Sequence, residues 1–131
     1  MIEIYVDGAY SSLRDMGGWA YVVLRDGKKI KSNFFPVSNT TNNRMEIQAA
    51  IEACSWAIEN EVDEVTIYTD SMYVIGTMTK SWKRNKNHDL WITLDELSDK
   101  LTITWTHVKG HSNNKYNELC DALAVQATFI T

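Results

Sequence analysis

The sequence predicts an α/β fold with a mixed five-stranded sheet, in the element order β-β-β-α-β-α-α-β-α. Three observations support this prediction. A strong hairpin signal occurs early in the chain, a long amphipathic helix pattern follows it, and short segments rich in β-branched and aromatic residues recur on both sides of that helix. Such an order is typical of one sheet flanked by helices.

The first three strands are predicted from alternation and turn chemistry. Residues 2–7 alternate apolar and polar side chains, and a glycine-containing loop follows them. Residues 19–25 and 29–35 flank an Asp-Gly pair at 26–27, which tolerates the positive φ of a hairpin turn. We expect Pro36, the only proline, to close this hairpin.

The rest of the chain alternates helix and strand. Between residues 41 and 59, Ile47, Ile51, Cys54 and Ile58 recur at spacings of four, three and four, the period of an amphipathic helix. The later predicted elements are a strand at 64–69, a short helix ending at Met78, a short helix at 89–98, a strand at 102–108 and a helix at 114–127.

Length and composition narrow the class of protein. A chain of 131 residues predicts one domain, residues 1–131, that is large enough to bury a core without disulfides. Cys54 and Cys120 lie in apolar, helix-like contexts, which indicates buried thiols in a reducing compartment. Neither a signal peptide nor a membrane-spanning segment is evident, so we expect a cytoplasmic monomer with no membrane partner.

The distribution of charge matters more than its sum. A net charge of −4 argues against nucleic-acid binding, yet four of the 13 basic residues surround Trp82: Lys80, Lys83, Arg84 and Lys86. This cluster indicates either a phosphate-binding loop or an ordinary solvated loop.

Four acidic residues stand in distinctive segments: Asp7 in YVDGAY, Glu46 in TTNNRMEIQAA, Asp70 in YTDSMYV and Asp121 in HVKGHSNNKYNELCDALA. Each has an ordinary structural explanation. Asp7 fits a turn, Glu46 fits a capping box with Asn43, Asp70 fits a helix cap, and Asp121 fits an exposed helix position. Together, however, they supply the oxygen-only ligands that Mg²⁺ or Mn²⁺ requires.

These four segments, in this order and with these spacings, resemble type 1 ribonuclease H over residues 4 to about 124. The resemblance implies a ribonuclease H-like fold in which the four carboxylates hold two Mg²⁺ ions, with Mn²⁺ as a substitute. It also implies an endonuclease that hydrolyses the RNA strand of RNA/DNA hybrids. In that mechanism one ion activates a water, the other stabilises the leaving 3′ oxygen, and the products carry 5′-phosphate and 3′-hydroxyl ends.

The resemblance extends to residues around the acids. His111 matches the family's mobile histidine, which moves protons or helps the cleaved phosphate to leave. Glu118 stands three residues before Asp121, on the same helix face, and resembles an acid that supports the metal ligands.

The predicted substrate contacts include groove-reading amides, an aromatic surface and cations. Asn42 and Asn43 can hydrogen bond in a minor groove that displays 2′-hydroxyls, and Gln48 follows one turn later. By the resemblance, Thr41 and Trp82 hold the DNA strand and Ser71 fits the family pattern, while Lys83 and Arg84 are the predicted phosphate contacts.

Only seven residues separate Trp82 from Leu90, too few for the extra helix and basic protrusion of bacterial relatives, so the chain resembles a short form of the family. Two other functions share these features. One is a catalytically silent module that binds hybrids, which retention of all four acids disfavours. The other is a nuclease of the integrase or resolvase kind, which the TTNN run disfavours.

Overall fold

In a computed structural model, which describes residues 1–110 and 113–130, the chain forms a five-stranded sheet in the order β3-β2-β1-β4-β5. The elements are β1 (Ile2–Ser11), β2 (Met16–Arg25), β3 (Lys28–Val37), α1 (Asn42–Glu59), β4 (Glu64–Thr69), α2 (Met72–Thr79), α3 (His88–Ser98), β5 (Thr102–His107) and α4 (Lys115–Ala127). The predicted element order and the mixed α/β fold are confirmed.

Strand β1 occupies the centre of the sheet. It pairs antiparallel with β2 and parallel with β4, and β4 pairs parallel with β5. In this register Tyr5 lies opposite Tyr68, and Asp7 lies opposite Ala20. The chain that follows β4 therefore emerges beside the second half of β1.

Each face of the sheet has its own apolar core. Helices α1 and α3 cover one face with a cluster that includes Ile4, Ile47 and Trp91. Helix α4 covers the other face, where Ala20 and Cys120 are buried. Both cysteines are buried free thiols, as predicted. No helix in the described part of the chain is long and apolar enough to cross a membrane.

Strands β1 and β2 are longer than predicted. The segment expected to be a loop after Asp7 continues as strand to Ser11, and β2 begins at Met16. Glycine is depleted in strands, so the sequence did not indicate that these two strands extend so far. Gly18 is required by packing, because an added Cβ would lie 2.5 Å from the carbonyl oxygen of Ala124 in α4.

The prediction that Pro36 closes the hairpin is also wrong. Pro36 does not end the hairpin but lies inside β3, opposite Gly18. Strand β3 is an edge strand of the sheet, where a residue without an N–H group is tolerated. The Asp26 and Gly27 turn is confirmed, with φ values of 51° and 82°.

Candidate active site

The structure brings three of the four predicted acids together at the centre of the sheet. One carboxylate oxygen from each of Asp7, Glu46 and Asp70 lies within 4.8 Å of the other two. Asp7 belongs to β1 itself rather than to its end, Glu46 lies in α1, and Asp70 directly follows β4. Asp7 and Glu46 are buried, and Asp70 is half-buried.

Asp121 approaches this cluster from the opposite side. It lies half-buried on α4, and its negative charge is one of the causes that raise the pKa of Asp7. It is not within the group of mutually close carboxylates formed by Asp7, Glu46 and Asp70. Asp121 therefore acts electrostatically on Asp7 but lies outside the close group of Asp7, Glu46 and Asp70.

A backbone contact fixes the two buried acids. The Gly8 amide donates to Asp7 Oδ1 at 2.9 Å and to Glu46 Oε1 at 2.8 Å. This contact requires glycine, because a Cβ at Gly8 would lie 2.3 Å from the Met45 carbonyl carbon and 2.4 Å from the Glu46 nitrogen. The close approach of β1 to α1 thus sets the position of Glu46.

The other oxygen of Asp7 lacks a partner. Asp7 Oδ2 is buried and accepts no hydrogen bond among the described residues. A buried carboxylate oxygen without a donor is unfavourable unless a cation neutralises it. The donor set is entirely carboxylate oxygen, which suits a hard divalent cation such as Mg²⁺ or Mn²⁺.

Burial and mutual repulsion keep protons on this cluster when no cation is present. The pKa of Asp7 is raised first by burial and then by the charges of Glu46, Asp70 and Asp121. The pKa of Glu46 is raised by burial and by the charge of Asp70, although the hydrogen bond from the Gly8 amide partly opposes this. A divalent cation would lower both pKa values by favouring the ionised carboxylates.

These pKa shifts predict an unusual pH dependence for the metal-free protein. A carboxyl group with a raised pKa holds its proton more tightly in the folded state than in the unfolded state. The free energy of unfolding should therefore fall as pH rises from about 4 towards neutrality. Chemical denaturation with a chelator present measures this slope.

Added Mg²⁺ should remove the decline, because it binds the ionised form. Glu46→Gln is the matched control, since its amide oxygen can still accept from Gly8 while one titrating group is lost. A slope that is the same in the parent and in Glu46→Gln would show that other groups cause it.

The structural explanations for Glu46 and Asp70 do not hold. Helix α1 is capped by Thr41, whose Oγ1 accepts from the Arg44 amide at 3.2 Å, so Asn43 and Glu46 form no capping box there. Helix α2 is capped by Ser71, whose Oγ accepts from the Val74 amide at 3.2 Å. Thr41 and Ser71, both predicted substrate contacts, thus each cap a helix in the structure.

The segment before α4 brings the chain back to Asp70. The backbone of Gly110 runs beside this carboxylate, since a Cβ added there would lie 3.3 Å from Asp70 Oδ2. His111, predicted to be catalytic, follows directly but lies outside the described residues. Glu118 is exposed on the first turn of α4.

A groove of about 320 Å³ lies next to the N-terminus of α1. It is lined by Thr41, Asn42, Asn43, Lys86 and Asn87. The first three were predicted substrate contacts, and the structure brings them together. Lys86 and Asn87 were missed as site residues: Lys86 was only one member of the basic cluster, and nothing in the sequence distinguished Asn87. Gln48, also predicted, donates to Glu52 at 2.7 Å.

Arg44 holds the far wall of this groove in place. Its guanidinium forms a bidentate ion pair with Asp89, at 3.0 and 2.7 Å, and donates to Asn87 Oδ1 at 3.2 Å. Asn87 has a φ of 61° and donates in turn to the Tyr73 hydroxyl at 2.9 Å. One network therefore joins α1, α2 and α3 at the groove.

The side chain of Trp82 packs against helix α2 at Gly76. A Cβ added at Gly76 would lie 2.1 Å from the Trp82 ring, so the indole lies flat against the helix backbone. The side chain is still 45% exposed. Trp82 is therefore not a core tryptophan, a role that Trp91 fills instead.

The two predicted phosphate contacts differ in their surroundings. Lys83 is exposed. Arg84 is half-buried and forms an ion pair with Asp95 of α3, with one guanidinium nitrogen 3.0 Å from Oδ1. It also lies over the Trp91 ring. The connection from α2 to α3 contains no helix, as the short-form prediction required.

The fold and the site define a class of α/β enzymes that hold a divalent cation in a carboxylate cluster on a central strand. A family profile for RNase H matches residues 1–129. Ribonuclease H of Caldanaerobacter subterraneus subsp. tengcongensis is 42% identical over 140 residues, which cover 96% of this chain and 90% of the relative. Ribonuclease H of Treponema denticola is 39% identical over 153 residues, covering 96% of each chain.

Solved structures of RNase H1 proteins share the fold of this chain. RNase H1 from Halobacterium salinarum has a TM-score of 0.83 and 27% identity, with 96% of each chain covered. LC11-RNase H1, solved in complex with an RNA/DNA hybrid, has a TM-score of 0.80 at 20% identity, covering 97% of this chain and 99% of that chain, a likeness of fold. The chain belongs to the RNase H family and is a ribonuclease H enzyme.

Proposed function

We propose that this protein hydrolyses the RNA strand of RNA/DNA hybrids with two Mg²⁺ ions and leaves 5′-phosphate and 3′-hydroxyl ends. The observation that carries the proposal is the buried carboxylate cluster, with its partnerless Asp7 oxygen, at the centre of an RNase H fold. The groove beside α1 lies on the helix that carries Glu46 and supplies the amides and the lysine that a nucleic-acid substrate needs.

The residues present fit a divalent cation. Asp7, Glu46 and Asp70 would hold it, and Asp121 would complete the ligand set from α4. When bound, a pair of such ions lowers the pKa of a nucleophilic water and neutralises charge on the leaving oxygen. Mn²⁺ meets the same ligand requirements and should substitute for Mg²⁺.

The chain's own groups provide orientation and proton transfer. The Gly8 amide fixes Glu46 and Asp7 in the geometry the ligands need. His111, which follows the Gly110 turn beside Asp70, is placed in sequence to accept or donate a proton during turnover. Glu118, one turn before Asp121 in α4, adds negative charge near the cluster.

Substrate recognition is assigned to the groove and its surroundings. Asn42 and Asn43 are exposed on the first turn of α1, where their amides can read 2′-hydroxyls and base edges in a minor groove. Lys86 and Asn87 form the opposite wall and suit a backbone phosphate of the DNA strand. Thr41 lines the same groove, whereas Ser71 is buried at the cap of α2 and Gln48 bonds to Glu52 within α1.

The direct test is cleavage of an RNA/DNA hybrid labelled on the RNA strand, beside RNA/RNA, DNA/DNA and single-stranded RNA. We expect cleavage of the hybrid alone, only when Mg²⁺ or Mn²⁺ is present. End-group analysis of the products should show 5′-phosphates. Hybrid binding without cleavage under any metal condition would favour a silent binding module instead.

Two variants test Trp82 in different ways. Trp82→Ala removes the aromatic surface, and Gly76→Ala forces the ring off helix α2. Both should raise KM for the hybrid by about tenfold, because stacking against a nucleic acid contributes roughly 1–3 kcal/mol per base. Neither should change the slope of log affinity against log salt, because no charge is lost. Gel-shift titrations at several salt concentrations measure both quantities.

Gly76→Ala also separates binding from folding. Alanine is favoured over glycine in a helix by about 1 kcal/mol, so thermal stability should not fall greatly even though the ring moves. Trp82→Phe is the control that retains an aromatic surface. Normal KM in Gly76→Ala would show that the ring position on α2 is irrelevant to substrate binding.

Lys83→Ala should affect substrate binding, whereas Arg84→Ala should chiefly affect stability. Loss of Lys83 should raise KM and reduce the salt slope by about 0.9, the contribution of one phosphate contact. Loss of Arg84 should chiefly lower stability, by about 1 kcal/mol, because its half-exposed ion pair with Asp95 joins the connection to α3. Melting curves and salt titrations of the two single variants decide between these roles. Equal salt-slope changes would show that Arg84 also contacts phosphate.

A further inference from the structure

A second basic surface lies at the β2–β3 hairpin, away from the loop around Trp82. Four cations fall within seven residues there: Arg25, Lys28, Lys29 and Lys31. All four are exposed. Within the part of the chain that the structure describes, these four cations take no part in the ion pairs of Asp26 with the Met1 amine, Arg44 with Asp89 and Arg84 with Asp95.

The strand register directs most of these cations to one side of the sheet. Cross-strand partners share a face, and Lys31 is opposite Val23, whose side chain packs in the core under α1. A register shift between Val23 and Leu24 inserts Ile30 as an extra residue, so Ile30 and Lys31 both reach this side. Arg25 and Lys28 are paired at the end of the hairpin.

This side of β3 is not covered by helix α1, and an open groove separates the two. The α1–β3 groove has a volume of about 600 Å³. Its lining comprises Tyr21, Arg25, Ile30, Lys31, Asn33, Trp56, Glu59 and Asn60. It thus combines two exposed cations, two aromatic rings and two amides with a single acid.

Strand β3 runs from this groove towards the row of the sheet that carries Asp7. Phe34 lies opposite Ala20, which in turn lies opposite Asp7, so Phe35 is one residue from the row that carries the catalytic acid. Phe35 is 58% exposed and stacks on Trp19 at 6.1 Å. From Phe35 to Lys28 the strand runs seven residues, about 23 Å at 3.3 Å per residue. An exposed aromatic ring therefore begins this path and exposed cations end it.

We propose that the α1–β3 groove binds a single-stranded polynucleotide segment that extends from the hybrid at the active site. The proposal rests on the proposed function. Non-specific single-strand sites combine a basic groove with aromatic rings that stack on bases, and this groove has both. It supplies an anchoring surface in a chain that has only a short basic loop at Trp82.

The test compares a blunt hybrid with the same hybrid carrying a single-stranded extension of about eight nucleotides, enough to span the groove at about 3.4 Å per nucleotide. Binding is measured by fluorescence anisotropy with EDTA present, so that cleavage does not compete. For the parent protein the extension should tighten binding by about tenfold. Extensions on the RNA strand and on the DNA strand, at either end, identify which strand is held.

In Lys28→Ala/Lys31→Ala the ratio of the two dissociation constants should fall towards one. The salt slope for the extended hybrid should fall by about 1.4, since each single-strand phosphate contact contributes about 0.7. Phe35→Ala should reduce the ratio without changing the slope. Lys100→Ala is the matched control, because Lys100 is exposed and precedes β5 at the opposite edge of the sheet. Melting temperatures confirm that each variant is folded.

The proposal is overturned if the extension does not tighten binding to the parent, or if the double variant keeps the parent ratio. Competition by oligo-glutamate, without any gain from the extension, would assign the groove to an acidic protein partner and also overturn it. Cleavage of the blunt hybrid by the parent in Mg²⁺ tests the proposed function separately. A protein that cleaves blunt hybrid but gains nothing from extensions loses only this inference.

Discussion

Asp70→Asn should abolish hybrid cleavage, with a fall in kcat on the order of 10³-fold or more. Metal ions held by carboxylates contribute several kcal/mol of transition-state stabilisation in such sites, and an amide is a poor replacement for a carboxylate ligand. The side chain keeps its shape, so the fold should be intact. Single-turnover cleavage with saturating enzyme measures the chemical step without product release.

The same variant has a second expected effect that a purely structural role would not produce. Without metal, removing one charge from a cluster whose oxygens lie within 4.8 Å of one another should leave stability unchanged or raise it by about 1 kcal/mol. Ser71, not Asp70, caps helix α2, so no cap is lost. Parental activity in Asp70→Asn would refute the site assignment, and a large loss of stability would show that Asp70 supports the fold.

Gly8→Ala should disrupt both stability and activity. The new methyl group would lie within 2.7 Å of three backbone atoms of Met45 and Glu46, and backbone cannot move aside as a side chain can. Helix α1 would have to shift away from β1, at a cost of about 1–3 kcal/mol, and Glu46 would lose its bond from the Gly8 amide. We expect a lower melting temperature and a drop in kcat of about 100-fold.

Gly17→Ala is the matched control, since an added Cβ there meets the side chains of Thr40 and Met45 rather than backbone. Its loss of stability should be smaller, and its kcat should be closer to that of the parent. Metal binding measured by calorimetry should weaken in Gly8→Ala and not in Gly17→Ala. Equal effects in the two variants would mean that crowding in the sheet, and not the position of Glu46, controls catalysis.

The sequence predicted the element order well because each element carried its own local signal. Alternation, the Asp26 and Gly27 turn and the period of α1 are all readable without tertiary information. Strand β1 was shortened in the prediction because Gly8 and Ser11 lack strand propensity, and their place is decided by the neighbours they pack against. Asp7 therefore looked like a residue at a strand end, although it lies within the strand.

The candidate site was predictable as a set of residues but not as an arrangement. Motif order pointed to the four acids, yet nothing local shows that the Gly8 amide bonds Glu46, 38 residues away. The pairing of Arg84 with Asp95 and the network from Arg44 to Asn87 are likewise long-range contacts. Such contacts depend on how helices pack, which a single sequence does not specify.

The central position of β1 has a consequence for how the enzyme is made. The four predicted acids lie on segments that span the chain from Asp7 to Asp121, and the last of these segments is α4. During synthesis from the N-terminus, β1 to β3 can form a meander early, but β4 must return to lie beside β1 before Asp70 reaches the cluster. On the proposed ligand set, a nascent chain cannot complete its metal site until the final helix docks, so the proposed activity requires the completely folded domain.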